Sequence, residues 1–410
     1  MATGSIESLR QCFYLKRYSR KMRRWRLSIT VLLLLLLLVA VSATVLYYFS
    51  LHLQTTINIE GQVNQFKSSL SNHHLILLTY MRSGSSFVGA MIGAHPDAFY
   101  MYEPLWTPRR ALDGLTKLRY LNGSVLNLSE DQTTFWFTSV QVLNDIFQCR
   151  FHLLDVGTLT HTHLYRSPST ENYAICLNIS HVQDLTIKEE IISRIPSCLH
   201  LLTSACLQAK VKLVKVIEAF MDQAINLMLS DPLVKVLHLI RDPRAVLISR
   251  KEFGFYPEDG VGQNSWELCV QILRDLELYV HKRKQFVGRV LTLRYEDIVR
   301  EPLDVGRQLY QFVDLDIGPE FMDMIWNMTY AGLPDGCNVC PVRSNATVTA
   351  YKWRKRASFK TVAQIQNNCL DLINLMGYRG FTSEREMSSL HLPAVHRNYD
   401  PRFLQVLMRT

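Results

Sequence analysis

The sequence predicts an α/β fold in which a parallel sheet is flanked by helices, preceded by an N-terminal transmembrane helix. Three observations indicate this architecture. Short apolar segments typical of buried strands alternate with helical segments along most of the chain. A loop rich in serine and glycine follows the first of these strands and opens a helix. An apolar run without a charged residue extends from Leu27 to Phe49.

The charge of the chain is concentrated at one end. The 410 residues are 48% hydrophobic, which excludes a disordered chain and suits one large domain or two smaller ones. A formal charge of +9 would ordinarily suggest a nucleic-acid partner. Residues 1–26, however, contain eight Lys and Arg and one acid, so they carry +7 and the other 384 residues only +2. The sequence therefore predicts a basic tail and no nucleic-acid binding.

The apolar run at residues 27–49 predicts a retained membrane anchor. As a helix it is about 34 Å long, enough for a hydrocarbon core of about 30 Å. A cleaved signal peptide is the alternative, but its apolar region is usually about 7–15 residues, and no clear small-residue cleavage site follows here. Basic residues precede the run and almost none follows it, which predicts a cytoplasmic tail (1–26) and a single-pass, type II topology.

A domain beyond such an anchor is lumenal and can carry N-glycans and disulfide bonds. Five glycosylation sequons begin at Asn122, Asn127, Asn178, Asn327 and Asn345. Eight cysteines follow the anchor: Cys149, Cys176, Cys198, Cys206, Cys269, Cys337, Cys340 and Cys369. They are compatible with four bridges, although the pairing stays open. Cys337 and Cys340 have no partner pair at zinc-site spacing, so a disulfide or free thiols are favoured over a metal.

The rest of the chain divides into a polar stem (50–73), a globular domain (74–380) and a C-terminal extension (381–410). Strands are predicted at Leu75–Tyr80, Ala98–Tyr102, Val211–Ile217, Val234–Ile240 and Val290–Arg294. Helices are predicted at Phe87–Gly93, Ala219–Leu229, Trp266–Lys284, Ile298–Val313 and Val362–Met376.

The loop after the first strand has the composition of an anion site. Its residues Met81 to Ser86 contain one arginine, one glycine and three serines, and a helix follows. Such a turn directs backbone N–H groups and a helix dipole at one point, which suits a phosphate. The lysine and hydroxyl of a nucleoside triphosphate loop are missing. A plain tight turn with a helix cap is the alternative.

A second element of this kind follows the strand that ends at Ile240. Asp242 is a good N-cap and Pro243 suits the first turn of a helix. Arg241, Arg244 and Ser249 would then lie near the carboxyl end of a parallel strand, where open α/β sheets bind ligands. The alternative is a capped helix with surface arginines. Together, the two loops predict a ligand with two separated phosphates.

Several segments resemble the Golgi carbohydrate 6-O-sulfotransferases, whose donor is 3′-phosphoadenosine-5′-phosphosulfate (PAPS). They are Arg82–Gly89, His95–Pro104, Leu239–Arg250, Leu293–Ile298, Lys352–Arg354 with Asn345, and Leu375–Tyr378. The chain is most similar to the N-acetylglucosamine (GlcNAc) 6-O-sulfotransferase and keratan sulfate sulfotransferase group. The resemblance implies the sulfotransferase fold, a Golgi membrane location, no metal cofactor, a glycan acceptor on a glycoprotein or proteoglycan, and is compatible with a homodimer.

The resemblance also implies roles for individual residues. Donor binding is assigned to Met81, Arg82, Ser83, Gly84, Ser85, Ser86 and Phe87, to Arg241, Asp242, Pro243, Arg244, Ala245, Val246, Leu247, Ile248 and Ser249, and to Trp353 and Arg354. Arg82 would stabilise the leaving oxygen, Lys215 would lie near donor or acceptor, and Glu103 would be the base. Glu103 could instead only cap a strand before Pro104. Trp353 and Arg354 form a lid, or are a core tryptophan and a surface arginine.

Some segments depart from the family pattern. Glu218 stands in a segment, Val216–Glu218, where the family often has arginine, and Trp106–Pro108 also differs. Two other functions remain open. A Golgi glycosyltransferase could use Asp314-Leu-Asp316 as a metal-binding motif. A membrane-anchored lectin would bind glycans without turnover. The implied reaction transfers a sulfuryl group from PAPS to the 6-hydroxyl of a sugar, with GlcNAc favoured over galactose or N-acetylgalactosamine (GalNAc).

Overall fold

The computed structural model describes residues 73–179, 189–330, 332 and 342–396. The predicted tail (1–26), membrane anchor (27–49) and nearly all of the stem (50–73) lie outside these residues, as do Cys12, Cys337 and Cys340. In the described part of the chain, no helix combines the length and the apolar character needed to cross a membrane.

A parallel sheet lies at the centre of the fold, as the sequence predicts. The strands are β1 (His73–Thr79), β2 (Ala98–Tyr102), β3 (Leu118–Arg119), β4 (Val125–Leu126), β5 (Val211–Val216), β6 (Val234–Ile240) and β7 (Val290–Arg294). Five of them form the sheet in the order β2-β5-β1-β6-β7, with every neighbouring pair parallel. Strands β3 and β4 form a separate antiparallel pair.

Helices cover both faces of the sheet. In chain order they are α1 (Ser85–Gly93), α2 (Trp106–Leu112), α3 (Gln132–Phe147), α4 (Val156–Leu159), α5 (Pro168–Leu177), α6 (Glu189–Gln208), α7 (Met221–Ser230), α8 (Pro243–Glu252), α9 (Val261–Lys282), α10 (Tyr295–Arg300), α11 (Pro302–Phe312), α12 (Pro319–Thr329), α13 (Ala346–Tyr351), α14 (Trp353–Arg356), α15 (Phe359–Asn368), α16 (Leu370–Leu375) and α17 (Glu384–Ser388).

The central strands are buried on both faces, which explains why they read as continuous apolar runs. Successive residues of β1 alternate between two hydrophobic clusters. Ile76 and Leu78 pack with α3, α5, α6 and α7 on one face. Leu75 and Leu77 pack with α1, α10, α11 and α12 on the other. The sheet is thus enclosed between two helical layers.

Two predicted helices are each divided in the structure. The predicted helix Ile298–Val313 is two helices, α10 and α11, because Pro302 begins the second and cannot donate the backbone hydrogen bond that would continue the first. The predicted helix Val362–Met376 is divided at Cys369 into α15 and α16. The 20-residue helix α6 was not predicted.

Three disulfide bonds join distant parts of the described chain. Cys149 pairs with Cys206, Cys176 with Cys198, and Cys269 with Cys369. The first two attach α6 to the segments before it, and the third attaches α9 to the start of α16. The expectation of disulfide bonds is confirmed for these six cysteines.

The packed unit continues past residue 380, where the sequence placed its end. Phe381 and Met387 are buried, and Tyr378 forms a β-bridge with Val395. Residues 381–396 therefore belong to the globular domain, because their apolar side chains complete its core.

The strand order determines where a ligand can bind. The chain leaves β1 through α1 to reach β2, and β5 later fills the place between them. From β5 it crosses through α7 to β6, on the opposite side of β1. Such a change of direction opens a crevice beyond the carboxyl ends of the strands.

Candidate active site

A cleft of about 980 Å³ opens at the carboxyl ends of the strands. Its volume lies at the upper end of the usual range for small-molecule sites. The segments after β1, β2, β5 and β6 all contribute to its lining. Predicted site residues from these four segments meet here: Met81, Arg82, Gly84, Ser85, Ser86, Phe87, Glu103, Lys215, Arg241, Ala245, Ile248 and Ser249.

The loop after β1 presents the start of a helix to the cleft. Helix α1 begins at Ser85, directly after Gly84, whose φ of 89° is in the left-handed region. The first N–H groups of a helix have no partner within it, so they are available to an anion. A Cβ atom at position 84 would collide with the ring of Tyr295. Glycine is therefore required here by both backbone conformation and space.

The two predicted anion loops are bonded to each other. Arg241 Nη1 donates to the carbonyl oxygen of Arg82 at 3.0 Å. Arg82 Nε in turn donates to Ser249 Oγ at 3.0 Å, and its guanidinium group lies 4.0 Å from the centre of the Phe253 ring. In this conformation Arg82 points towards α8, so the loops after β1 and β6 form one continuous cationic surface.

The positive charges of this surface repel one another. Burial, followed by the guanidinium groups of Arg241 and Arg343, lowers the pKa of Arg82. Arginine nevertheless stays protonated in proteins. Three guanidinium groups of like charge at one wall of a half-enclosed cleft would be stabilised by a bound anion.

Helix α8 begins as the sequence predicts. Asp242 is the N-cap and accepts a hydrogen bond from the backbone N–H of Arg244 at 3.0 Å, and Pro243 occupies the first turn. The residues of this helix that line the cleft are Ala245, Ile248, Ser249, Arg250 and Glu252. Pro243, Val246 and Leu247 are buried and lie outside this lining.

Arg244 is buried beneath the cleft, although the sequence placed it beside a phosphate. Its Nε and Nη2 atoms donate to Asp242 at 2.9 and 2.8 Å, and Nη1 donates to Gln366 Oε1 and the carbonyl oxygen of Arg379, both at 2.7 Å. The side chain is fully buried and its donors are used inside the protein. Arg244 therefore holds the start of α8 against the C-terminal segment.

Arg354 is neither part of a lid nor a surface arginine. It is buried, and it donates to the carbonyl oxygens of Met387, Leu392 and Ser389 at 2.8, 2.8 and 2.7 Å. The planar guanidinium group thus satisfies carbonyl groups in residues 386–392, which the sequence placed outside the domain. Trp353 lines the cleft but is 3% exposed, as expected for the core alternative.

The opposite wall contains a buried ion pair. Glu103 follows β2 and Lys215 lies near the end of β5, and the two strands are adjacent. Lys215 Nζ donates to Glu103 Oε1 and lies 4.1 Å from the centre of the Tyr102 ring. The two side chains are 3% and 10% exposed. Burial alone would lower the pKa of Lys215, but Glu103 and Tyr102 outweigh it and raise that pKa.

Glu218 adds a second carboxyl group to this wall. It lines the cleft just after β5, and its Oε2 atom accepts from the backbone N–H of Ile217 at 3.2 Å. Burial, reinforced by the charge of Glu103, raises the pKa of Glu218 to about 7. The segment Val216–Glu218, in which the related family often has arginine, therefore carries a weak acid here.

His163 belongs to the same wall, although no motif in the sequence predicted it. It lines the cleft, and its Nε2 atom lies 3.9 Å from Glu103 Oε2. Its ring contacts Tyr102 edge-on at 4.9 Å. The paired histidines of Thr160–His163 were the only local signal. That signal is weak, because the position of this loop depends on tertiary packing.

The described residues contain no group of three His, Cys, Asp or Glu side chains that could hold a metal ion. The Asp314-Leu-Asp316 pattern lies elsewhere in the fold. Asp314 forms an ion pair with Lys235 near the start of β6, and its carboxylate also lies 2.7 Å from Nε2 of His73 at the start of β1. It is thus at the amino ends of the strands, opposite the cleft.

The asparagines of the five sequons differ in their exposure and in their contacts. Asn122 and Asn127 are exposed around β3 and β4, and Asn178 is exposed at the end of α5. Asn327 is exposed on α12, but the hydroxyl of Thr329 in its sequon is buried and donates to the carbonyl oxygen of Ile325 at 2.7 Å. Asn345 is half-buried and caps α13.

The family model and the relatives that match this chain are all described as sulfotransferases. The family model described as "Sulfotransferase family" matches residues 75–319. Mouse carbohydrate sulfotransferase 5 is 30% identical over 78% of this chain and 84% of its own length. Human carbohydrate sulfotransferase 6 is 29% identical over 78% of this chain and 85% of its own length. Rat carbohydrate sulfotransferase 1 is 26% identical over 83% of this chain and 88% of its own length.

Two solved structures align with most of the chain, both with TM-scores below 0.5. Mouse sulfotransferase SULT7A1 complexed with PAP has a TM-score of 0.36 and 11% identity, covering 75% of this chain and 87% of its own. The sulfotransferase domain from the curacin biosynthetic pathway has a TM-score of 0.38 and 16% identity, and the alignment covers 73% of this chain and 97% of that domain.

Proposed function

The chain belongs to the sulfotransferase family, and from that membership we propose that it transfers the sulfuryl group of PAPS to the 6-hydroxyl of a sugar in a glycan. One observation carries the proposal. A single cleft joins two bonded, arginine- and serine-containing loops on one wall to a buried carboxylate with a lysine partner on the other. The first wall suits a bisphosphate donor and the second suits a hydroxyl acceptor.

The donor carries negative charge at two separate places, its 5′-phosphosulfate and its 3′-phosphate. The backbone N–H groups at the start of α1 are suited to the 5′-phosphosulfate. Arg241 and Ser249 are suited to the 3′-phosphate, because guanidinium groups bind phosphate through two parallel hydrogen bonds. Arg82 lies between the two elements, where its fixed charge stabilises the negative charge that develops on the leaving bisphosphate.

Sulfuryl transfer resembles phosphoryl transfer, in which positioning and charge stabilisation matter most. The acceptor hydroxyl attacks sulfur in line with the bond to the departing phosphate, and a base must take its proton. We assign that base to Glu103. Lys215 binds its Oε1 atom, so Oε2 is the oxygen left to accept the proton. The same lysine fixes the orientation of the carboxylate.

GlcNAc is the favoured acceptor sugar, with galactose or GalNAc as the other choices. The support is the similarity to relatives named carbohydrate sulfotransferases and the resemblance of the donor-binding segments to GlcNAc 6-O-sulfotransferases. Glu218 departs from the family pattern beside the acceptor wall, so the acceptor preference is the part of the proposal that most needs direct measurement.

We also propose that residues 27–49 anchor the enzyme in the Golgi membrane, with the catalytic domain in the lumen. The uncharged apolar run and the basic residues before it support this orientation. The three disulfide bonds support an oxidising compartment, since such bonds are rare in the cytosol.

The test uses the full-length chain purified in detergent, ³⁵S-labelled PAPS and oligosaccharides ending in GlcNAc, galactose or GalNAc. We expect label transfer to at least one acceptor, and product mapping should place sulfate on the 6-hydroxyl. A UDP-sugar panel run in parallel distinguishes the glycosyltransferase alternative. Binding of an acceptor without label transfer would support a lectin and refute the proposal.

Three variants divide the proposed roles. Arg82→Ala and Arg241→Ala should each weaken the binding of adenosine 3′,5′-bisphosphate (PAP) by about 10–100-fold, because each removes a charge-assisted hydrogen bond. Glu103→Gln should leave PAP binding intact and reduce transfer by about 10²–10⁴-fold. Arg307→Ala, which removes an exposed arginine paired with Asp304, is the matched control. Near-normal transfer by Glu103→Gln would make the base assignment wrong.

A further inference from the structure

The two oxygens of Glu103 have different neighbours. Oε1 accepts from Lys215 Nζ. Oε2 faces His163, whose Nε2 atom is 3.9 Å away. That distance exceeds a direct hydrogen bond, which joins nitrogen and oxygen at about 2.7–3.2 Å. Both groups line the cleft, so the gap between them is open to a ligand.

The geometry indicates which nitrogen of His163 carries the proton. Nδ1 is buried and has no hydrogen-bond partner among the described residues. A buried N–H group without a partner is rarer than a buried acceptor without one, so the proton belongs on Nε2. There it also faces the negative charge of Glu103. Burial, together with Lys215 and Arg166, outweighs a hydrogen bond to the backbone of Glu103 and lowers the pKa of His163 to about 3, so the ring is neutral at Golgi and neutral pH.

A carboxylate oxygen and an N–H group at this separation match the two hydrogen-bonding functions of one hydroxyl group. An oxygen atom between them, about 2.7–2.9 Å from each, can donate its proton to Glu103 Oε2 and accept from His163 Nε2. A water molecule or an amine would also fit the space. A sugar hydroxyl group uses both neighbours and keeps a lone pair for attack on sulfur, whereas an amine would use its single lone pair in accepting from His163.

We propose that His163 is an acceptor-binding residue of the transfer reaction, which holds the reacting sugar hydroxyl between its Nε2–H group and Glu103 Oε2. The inference rests on the proposed sulfotransferase function and adds a residue to it. In the reaction, the hydroxyl proton moves to Glu103 Oε2 as the new oxygen–sulfur bond forms. The bond from sulfur to the donor phosphate breaks, and its electron pair leaves with the bisphosphate. His163 stays neutral throughout.

His161 supplies a matched control, because it lies beside His163 without facing the cleft. Its ring packs against Trp106 at 4.2 Å and against His163 at 4.0 Å. Its Nδ1 atom accepts from the backbone N–H of His163 at 3.1 Å. Replacing His161 therefore removes a neighbouring imidazole of similar burial and similar packing, but removes no group from the gap beside Glu103.

The experiment compares His163→Ala, His163→Gln and His161→Ala in the full-length enzyme, with the oligosaccharide that the unaltered enzyme sulfates fastest. For His163→Ala we expect kcat/KM for the acceptor to fall about 10–100-fold, as for loss of a hydrogen bond to a group that gains charge. KM for PAPS and the affinity for PAP should stay unchanged. His163→Gln should recover part of the loss, since its amide is also a donor.

The outcomes separate this inference from the function on which it rests. No transfer by the unaltered enzyme would overturn both. Normal acceptor kcat/KM in His163→Ala, with an active unaltered enzyme, would overturn the inference alone. An equal loss in His163→Ala and His161→Ala, accompanied by a lower Tm or weaker PAP binding, would assign His163 a packing role and would also overturn it. A loss confined to the acceptor and restored in part by glutamine supports it.

Discussion

The ion pair between Lys215 and Glu103 yields a prediction about stability that can be worked out from its burial. Lys215 is 3% exposed and donates to Glu103, which is 10% exposed. Lys215→Met keeps the apolar stem but leaves the buried carboxylate of Glu103 without its cation. Breaking a buried pair by removing one partner destabilises a protein by about 3–5 kcal/mol. For a domain of this size we expect Tm to fall by about 6–12 °C.

The double variant Lys215→Met/Glu103→Gln gives the decisive comparison. Because it removes both charges, its loss of stability should be smaller than the sum of the two single losses by about 2 kcal/mol or more. Unfolding by urea, followed by circular dichroism for all four proteins, measures this coupling. PAP binding of each variant, measured by calorimetry, reports whether the donor wall is still folded.

A second lysine provides the control for burial. Lys210 pairs with Asp97 at 2.6 Å, but the two side chains are 54% and 37% exposed. Exposed pairs contribute only about 0–1 kcal/mol, so Lys210→Met should change little. The reasoning is refuted if Lys215→Met costs no more than Lys210→Met, or if the losses of the two single variants simply add in the double variant.

Three further predictions concern the loop, the core and a disulfide. Gly84→Ala should weaken PAP binding and destabilise the fold by about 1–2 kcal/mol or more, because the φ of 89° disfavours a side chain and the new Cβ atom would collide with Tyr295. Calorimetry measures the binding and thermal unfolding measures the stability. Unchanged PAP binding would contradict the prediction. Burial lowers the pKa of His238 to about 3, so protonation of the unfolded chain removes stability as pH falls below 6.5, by about 2 kcal/mol at pH 5. In urea titrations the stability of His238→Asn should therefore vary less between pH 6.5 and pH 5, and an equal dependence would refute this. Replacing Cys269 and Cys369 by serine opens a link of 100 residues and should destabilise by about 4–5 kcal/mol, and a Tm equal to the parent would contradict it.

All five strands of the parallel sheet were predictable from their apolar runs. Strands β2, β6 and β7 have the predicted bounds, because apolar and β-branched residues between polar ones leave little freedom in where a strand begins or ends. Helix α6 was missed because Pro196 lies inside it, and a proline within a helical pattern predicts a break. Its position depends on the disulfide bonds to Cys149 and Cys176. No local pattern in the sequence specifies that pairing.

The site was predictable only where a local motif defines it. Asp242 and Pro243 begin a helix by their own chemistry, so the loop after β6 followed from the sequence. The directions of Arg244 and Arg354 did not, because their partners come from residues 366–392, far along the chain. His163 was missed for the same reason, since its role depends on one distance to Glu103.

The backbone at Arg82 and Glu103 links the fold to the proposed chemistry. Both residues have positive φ, 74° and 45°, a conformation that non-glycine residues adopt at a cost of about 1–3 kcal/mol when the surroundings enforce it. Arg241 enforces it at Arg82 by donating to its carbonyl oxygen at 3.0 Å. Lys215 enforces it at Glu103, whose N–H donates to the carbonyl oxygen of Lys215 at 2.9 Å. Each strained residue is thus held by a cation-bearing residue that lines the same wall of the cleft. Each wall of the cleft therefore contains one strained residue, Arg82 on the wall suited to the donor and Glu103 on the wall suited to the acceptor.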